Sequence, residues 1–200
     1  MTTMEFRLVR TGPEYRAPHM RKTHVWTGTL PGGGGVELAY PQDANSLVHK
    51  LTARVTGESV PALAFHGLGF RGAPRMALMK LEADGRTAGL RRRHLAVTEQ
   101  DRALRIELSG RSYRYQELGG RLRHELRREG AVVTMTRSEW RHPQSLSGVT
   151  QGEADALDLG LAILLEGVYT RNLSFGGALF SWPGRFLRRM SFLGYFMGSH

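Results

Sequence analysis

Asp158, Glu166 and His124 are the side chains here from which acid–base chemistry could be built. Two carboxylates eight residues apart lie about two turns apart on one side of a helix, and a facing imidazole could exchange a proton with either. The same residues also fit a structural role. Carboxylates carried into a core need donors, and Tyr113, Tyr115 and His124, turned inward, supply a satisfied polar seam. That role is the expected one, because nothing else completes a catalytic set. The G-x-S-x-G pattern of a serine nucleophile is absent. The eight histidines form no HxxxH or HxH pair with a supporting carboxylate, and cysteine is missing, so no metal site is expected. No cofactor is expected either: Gly32 to Gly35 lack the Lys-Ser/Thr pair and the following helix of a phosphate-cradling loop.

Arginine is the stronger signal. The net charge is +10, and Lys22, Lys50 and Lys80 are the only lysines. "LRRRH" carries Arg91 to Arg93, and "RLRHELRR" carries Arg121, Arg123, Arg127 and Arg128. Guanidinium forks match phosphate oxygens, so these clusters suit polyanionic partners, lipid headgroups or nucleic acid, while a solvated face partly neutralised by Glu107, Glu125 and Glu129 is the somewhat more expected reading of the same residues. The last thirty residues hold seven of the seventeen aromatics and four arginines without an acid. A helix from Pro183 groups Phe186, Leu187, Met190, Leu193, Phe196 and Met197 on one side, with Arg185, Arg188 and Arg189 mostly opposite. Trp182 and Phe186 then suit insertion at headgroup depth and the three arginines suit anionic phosphates. Packing of the same tail on the body of the protein, or on a protein partner, is the competing expectation.

The elements that must position these residues are mostly strands. "VELAY", "LTARVT", "ALAFHGLGF" and "RMALMKL" form a train of short strand-like segments, followed by turn signals at Asp84-Gly85, Ser109-Gly110, Gly119-Gly120 and Glu129-Gly130. The last three lie ten residues apart, the rhythm of an up-and-down meander. Two-residue loops there set Ile106 opposite Tyr113 and Leu104 opposite Tyr115. They also set Tyr115 opposite His124, Tyr113 opposite Leu126, Arg114 opposite Glu125, Leu126 opposite Val133 and His124 opposite Met135. One inward set results: Leu104, Ile106, Tyr113, Tyr115, His124, Leu126, Val133 and Met135. The outward set is Arg105, Glu107, Ser112, Arg114, Arg123, Glu125, Thr134 and Thr136.

"EADALDLGLAILLEGVY" then reads as a helix, with Thr150 and Glu153 as its capping box. Apart from a stripe of Asp155, Asp158, Ala162, Glu166 and Tyr169 it is apolar around its circumference, and it is short of the ~20 residues of a membrane span. A helix greasy on nearly all sides belongs inside the strands.

A long antiparallel meander closing around a hydrophobic helix near the C-terminus resembles the tubby C-terminal-like superfamily, which includes the tubby, phospholipid scramblase and LURP-one-related proteins. The residues carrying the resemblance are the strand train from Val36 to Arg137, with "RSYRYQ" and "RHELRREGAVVTM", and the helix after it. It implies a β-barrel with a central helix and an association with membrane lipids. The superfamily's lipid-binding basic residues do not map here one by one, and no Asp-rich calcium segment of scramblase type is visible.

The expected organisation is an irregular segment over 1–35, a mainly β (α+β) up-and-down barrel or strongly curved sheet over 36–172 wrapped around its helix at about 153–170, and an aromatic, basic tail over 173–200. Two hundred residues can bury one such core. Without an apolar leader in the first thirty residues, cytoplasmic residence is expected, at the inner membrane face when membrane-bound. The expected function is non-enzymatic binding of anionic phospholipid surfaces through Arg121, Arg123, Arg127, Arg128, Arg185, Arg188 and Arg189. Nucleic-acid binding by the same basic surface is the first alternative, and an enzyme with a pocket around Asp158, Glu166 and His124 is the second.

Overall fold

The computed structural model describes residues 3–14, 23–41, 51–68, 79–92, 103–140 and 143–168. The tail over 173–200, with Trp182, Phe186, Arg185, Arg188 and Arg189, lies outside them. The chain opens with β1 (Met4–Glu14), β2 (Thr23–Thr29), β3 (Gly35–Pro41), β4 (Leu51–Gly57), β5 (Leu63–Leu68), β6 (Lys80–Ala83) and β7 (Arg86–Thr87). It continues through β8 (Gly89–Arg91), β9 (Leu104–Leu108), β10 (Arg111–Glu117), β11 (Arg123–Arg128), β12 (Ala131–Arg137) and β13 (Ser145–Gly152) to α1 (Ala156–Val168).

All thirteen strands form one antiparallel sheet in the order β7-β6-β5-β4-β3-β2-β1-β13-β12-β11-β10-β9-β8. Consecutive strands pair except β7 and β8, and β1 meets β13, so the meander curls into a nearly closed barrel. Its two outermost strands are consecutive in the chain. Arg86 pairs with Ala83 of β6, the Ala88 N–H donates to the Leu81 carbonyl, and from Gly89 the chain pairs instead with β9. The segment Arg86–Arg91 thus changes partner at Ala88 and bridges the seam.

The first two strands correct the expectation of an irregular segment over 1–35. In β1, Phe6 and Leu8 point into the core while Glu5 and Arg7 are exposed. The alternation is present in the sequence, but single apolar residues between charges lack the appearance of a strand until both faces are counted. The turns at Asp84-Gly85 and Ser109-Gly110 have positive φ at both positions, the mirror-image geometry that suits the twist of a hairpin.

The predicted inward set of β9 to β12 is buried in full, each residue 2% exposed or less. Between β9 and β10 the observed pairs, Tyr113 with Ile106 and Tyr115 with Leu104, are the expected ones. Those between β11 and β12, Leu126 with Val133 and His124 with Met135, are also as expected. Between β10 and β11 the register differs by two residues: Tyr115 faces Leu126, and Arg114 faces Arg127 rather than Glu125. The reason is the loop. Instead of a two-residue turn at Gly119-Gly120, the connection runs from Leu118 to Leu122, with the Leu118 N–H donating to the Arg123 carbonyl. A shift of two preserves the faces and changes every partner.

α1 runs through the core, with Leu159, Leu161, Ala162, Ile163, Leu164, Leu165 and Val168 all buried. One side lies close against β3 to β5: a Cβ on Gly160 would come within 2.8 Å of Leu63 Cδ1, and one on Gly167 within 3.1 Å of Leu38 Cδ2. Its start is set by Asp155, not by Thr150 and Glu153. Asp155 Oδ1 accepts from the Leu157 and Asp158 N–H groups, and Asp158 Oδ2 accepts in return from the Asp155 N–H. This is a reciprocal capping box moved to where the helix begins, because Thr150 is paired within β13.

The barrel's ends differ. At one end the strands are joined by tight turns such as Asp84-Gly85 and Ser109-Gly110, and α1 starts there. At the other, longer connections join the strands, and α1 ends there.

Candidate functional site

The two buried acids of α1 are held at opposite ends of the barrel, about 12 Å apart along the helix. At the turn end, Asp158 Oδ1 accepts from the Tyr113 hydroxyl (3.1 Å) and from Arg128 Nε (2.9 Å). Asp158 Oδ2 takes Arg128 Nη2 at 2.8 Å. Arg111 Nη1 sits 3.5 Å from Asp158 Oδ1 and 2.6 Å from Asp155 Oδ2. A forked, charge-assisted contact of this kind is the arrangement in which an ion pair repays desolvation. Arg111 has its pKa raised by its hydrogen bonds to Tyr113 and then Asp155. Arg128 has its pKa raised chiefly by Asp158. Burial tends to raise the Asp155 pKa, but the Arg111 hydrogen bond and the Asp158 N–H outweigh it and hold the carboxyl below its usual value. Burial pushes the Tyr113 phenol up to about 12.

At the loop end, Glu166 Oε2 accepts from the Tyr115 hydroxyl at 3.0 Å, and Arg137 Nη1 lies 3.4 Å from Glu166 Oε1 and donates to the Glu166 carbonyl at 2.7 Å. Arg137 therefore also serves the C-terminal end of a helix whose last turn has no basic residue of its own. Burial, and then the charge of Glu166, push the Tyr115 phenol well above its ordinary value. His124 stacks on Tyr115 with ring centroids 5.9 Å apart, and its Nδ1 is 3.0 Å from Glu166 Oε2 but out of line for a hydrogen bond.

Of the proposed acid–base trio, then, His124 and Glu166 are brought together and Asp158 is not. All three are at most 1% exposed. Tyr113 and Tyr115 supply the donors expected of them. The arginine donors were not foreseen, although parity along β11 and β12 contains the signal: if His124 and Leu126 face inward so does Arg128, and if Val133 and Met135 do so does Arg137. Arg128, expected on the exterior, is committed to Asp158.

The other three described arginines of the expected surface face outward. Arg127 is exposed, its Nε 2.9 Å from Glu125 Oε1. Arg121 lies over the half-buried Trp140 ring, 5.6 Å from its centroid, close enough for a cation–π contact. Arg123 opens β11, and between Arg121 and Arg123 sits Leu122, 41% exposed. The Leu122 carbonyl accepts from the Arg137 N–H, which fixes this corner to the rim where α1 ends.

Around the wall, the corrected register aligns a row that the sequence reading did not contain. Arg91 pairs with Arg105, Arg105 with Arg114, and Arg114 with Arg127, on β8, β9, β10 and β11 in turn. Arg91 and Arg105 are exposed and Arg114 half-buried, and none of these three has a carboxylate within ion-pairing distance among the described residues. The neighbouring Glu107 accepts instead from the Ser112 hydroxyl.

Across the seam, on β4 to β6, Thr52 Oγ1, His66 and Glu82 make a hydroxyl–imidazole–carboxylate series, 2.9 Å at each step, with Lys80 paired to the same carboxylate. The hydrogen bonds to Lys80 and then His66 lower the Glu82 pKa. On this open face the series links β4, β5 and β6. Among the described residues no group of three His, Asp or Glu side chains is placed to hold a metal ion. No described helix is long and apolar enough to cross a membrane. Comparison with protein-family models, with curated proteins and with solved structures finds no significant match to this chain.

Proposed function

We propose that this protein binds anionic phospholipid surfaces through the loop-end rim of its barrel. The observation carrying the reading is the corner of Arg121, Leu122, Arg123 and Trp140. An exposed aliphatic side chain sits between two exposed guanidinium groups, beside an indole. An interfacial contact needs this combination: apolar atoms to enter the acyl boundary, an indole for headgroup depth and cations for phosphate. Geometry adds support, since α1 ends on the same rim. The buried acids serve the reading only indirectly, by holding α1 in register so that this rim has a fixed shape.

Flotation with vesicles tests it. The protein is expected to float with phosphatidylserine-containing vesicles and to remain behind with phosphatidylcholine alone. Each of Arg121 and Arg123 adds about 1 kcal/mol near an anionic surface, so replacing both by Gln should weaken binding by roughly 2 kcal/mol, an effect that shrinks as salt rises. Leu122→Asp should weaken binding at every ionic strength, because apolar insertion is little screened. Equal flotation of wild type and Leu122→Asp would exclude the rim, and affinity for nucleic acid without any for vesicles would transfer the function to the first alternative.

A further inference from the structure

The row Arg91, Arg105, Arg114 and Arg127 is a different surface from the rim, and we propose that it is a binding strip for a slender, base-free chain of phosphates, that is, a condensed inorganic polyphosphate. The inference does not depend on membrane binding.

Directly opposed residues of a sheet share a face, and like charges so placed repel. Here the repulsion is repeated across three successive strand pairs, Arg91–Arg105, Arg105–Arg114 and Arg114–Arg127. With strands roughly 4.8 Å apart, the four arginines leave the sheet along a line about 14 Å long. Among the described residues only Arg127, at one end, is held by a carboxylate, that of Glu125. Glu107, which could bridge Arg105 to Arg114, is instead bonded by Ser112. Beyond Arg127 the row continues into uncharged residues, Val132 and then Gln151. Among the described residues the sheet therefore carries a file of positive charge that is largely uncompensated and that ends beyond Arg127.

The shape of that charge selects its partner. The file is one residue wide, and carboxylates border it on both sides: Glu107 in the row toward the turn end, Glu125 in the row toward the loop end. A bilayer or a nucleic-acid duplex would lay negative charge over those borders as well. A single-stranded nucleic acid is narrow enough, but its affinity for such surfaces draws on bases stacked on aromatic side chains. The outward-facing described residues of β8 to β11 include no aromatic; Tyr113 and Tyr115 are in the core. What remains complementary is a narrow polyanion whose oxygens meet guanidinium forks along a line.

The experiment compares wild type with the Arg105→Gln/Arg114→Gln double variant against long-chain polyphosphate, tripolyphosphate, single-stranded DNA, poly-glutamate and phosphatidylserine vesicles. Long-chain polyphosphate should bind wild type best, the double variant should lose at least about tenfold in affinity, and the salt dependence should flatten by about 0.7 logarithmic units per arginine removed. Without ligand the variant should melt at or above the wild-type temperature, since a repulsion has been removed. Vesicle flotation should be unchanged in the variant. Equal polyphosphate affinity in the two proteins would overturn the proposal. Tripolyphosphate or poly-glutamate binding as tightly as the long chain would overturn the linear phosphate specificity, and DNA binding more tightly would make nucleic acid the occupant. Loss of vesicle binding in Leu122→Asp with polyphosphate binding intact would show the two surfaces to be independent.

Discussion

Arg127 and Arg128 are neighbours in the chain, both on β11, and their environments are opposite. Arg128 turns inward, 17% exposed, and meets the carboxylate of a helix; Arg127 turns outward, 59% exposed, and ends a row of its own kind. The period of two in a strand makes the difference. Inside, the arginine answers a charge that the fold itself carries into the core. Outside, three arginines with no carboxylate among the described residues to answer them leave the fold with positive charge to offer to something else.

The largest expected effect breaks the inward half of this contrast. Arg128→Ala leaves Asp158 with Tyr113, the Asp155 N–H and a 3.5 Å approach from Arg111, and should cost about 3–5 kcal/mol in urea unfolding. Arg128→Met combined with Asp158→Leu should recover most of that loss, and failure to recover it would mean that Arg128 acts by some route other than neutralising Asp158. Glu166→Gln should cost less, about 1–3 kcal/mol, because the amide keeps an acceptor for Tyr115 while Arg137 loses its charge partner.

The inward region also has a pH signature. Tyr113 ionises near pH 10 in the unfolded chain but is held up to about 12 in the fold. Its neutral form is the one the native state favours. The associated stability is complete below pH 10 and lost as pH rises toward 12. An alkaline unfolding titration should show that decline, and Tyr113→Phe should lessen it. The outward region should respond least: Arg127→Ala should change stability by no more than about 1 kcal/mol, and Arg114→Gln by a few tenths in the stabilising direction.

Parity is also the measure of what was legible in the sequence. Faces could be read, and so the inward set from Leu104 to Met135 and the tyrosine donors to Asp158 and Glu166 were within reach. Partners could not be read where a loop hid its length. Gly119-Gly120 has the composition of a two-residue turn, yet the chain takes Leu118 to Leu122 to turn back, and the resulting shift replaces an Arg114–Glu125 pair with Arg114–Arg127. A neutralised surface on paper is thus a charged one in the fold. The rim at Leu122 was hidden for a related reason, since a lone leucine between arginines gains meaning only when Trp140, eighteen residues on, comes beside Arg121.

The pairing of β1 with β13 bears on how the protein is made. Met4 donates its N–H to the Thr150 hydroxyl across 146 residues of chain. At about 5–20 residues per second, a ribosome presents β1 roughly 7 to 30 s before its partner exists. Throughout that interval the outer edge of β1 offers unpaired N–H and C=O groups to any other strand, and the apolar face that will receive α1 has no helix to cover it. Closure is then among the last events, dominated by distant contacts and correspondingly slow. Yield at high expression should accordingly depend more on the rate of synthesis and on chaperones than on the stability of the finished barrel.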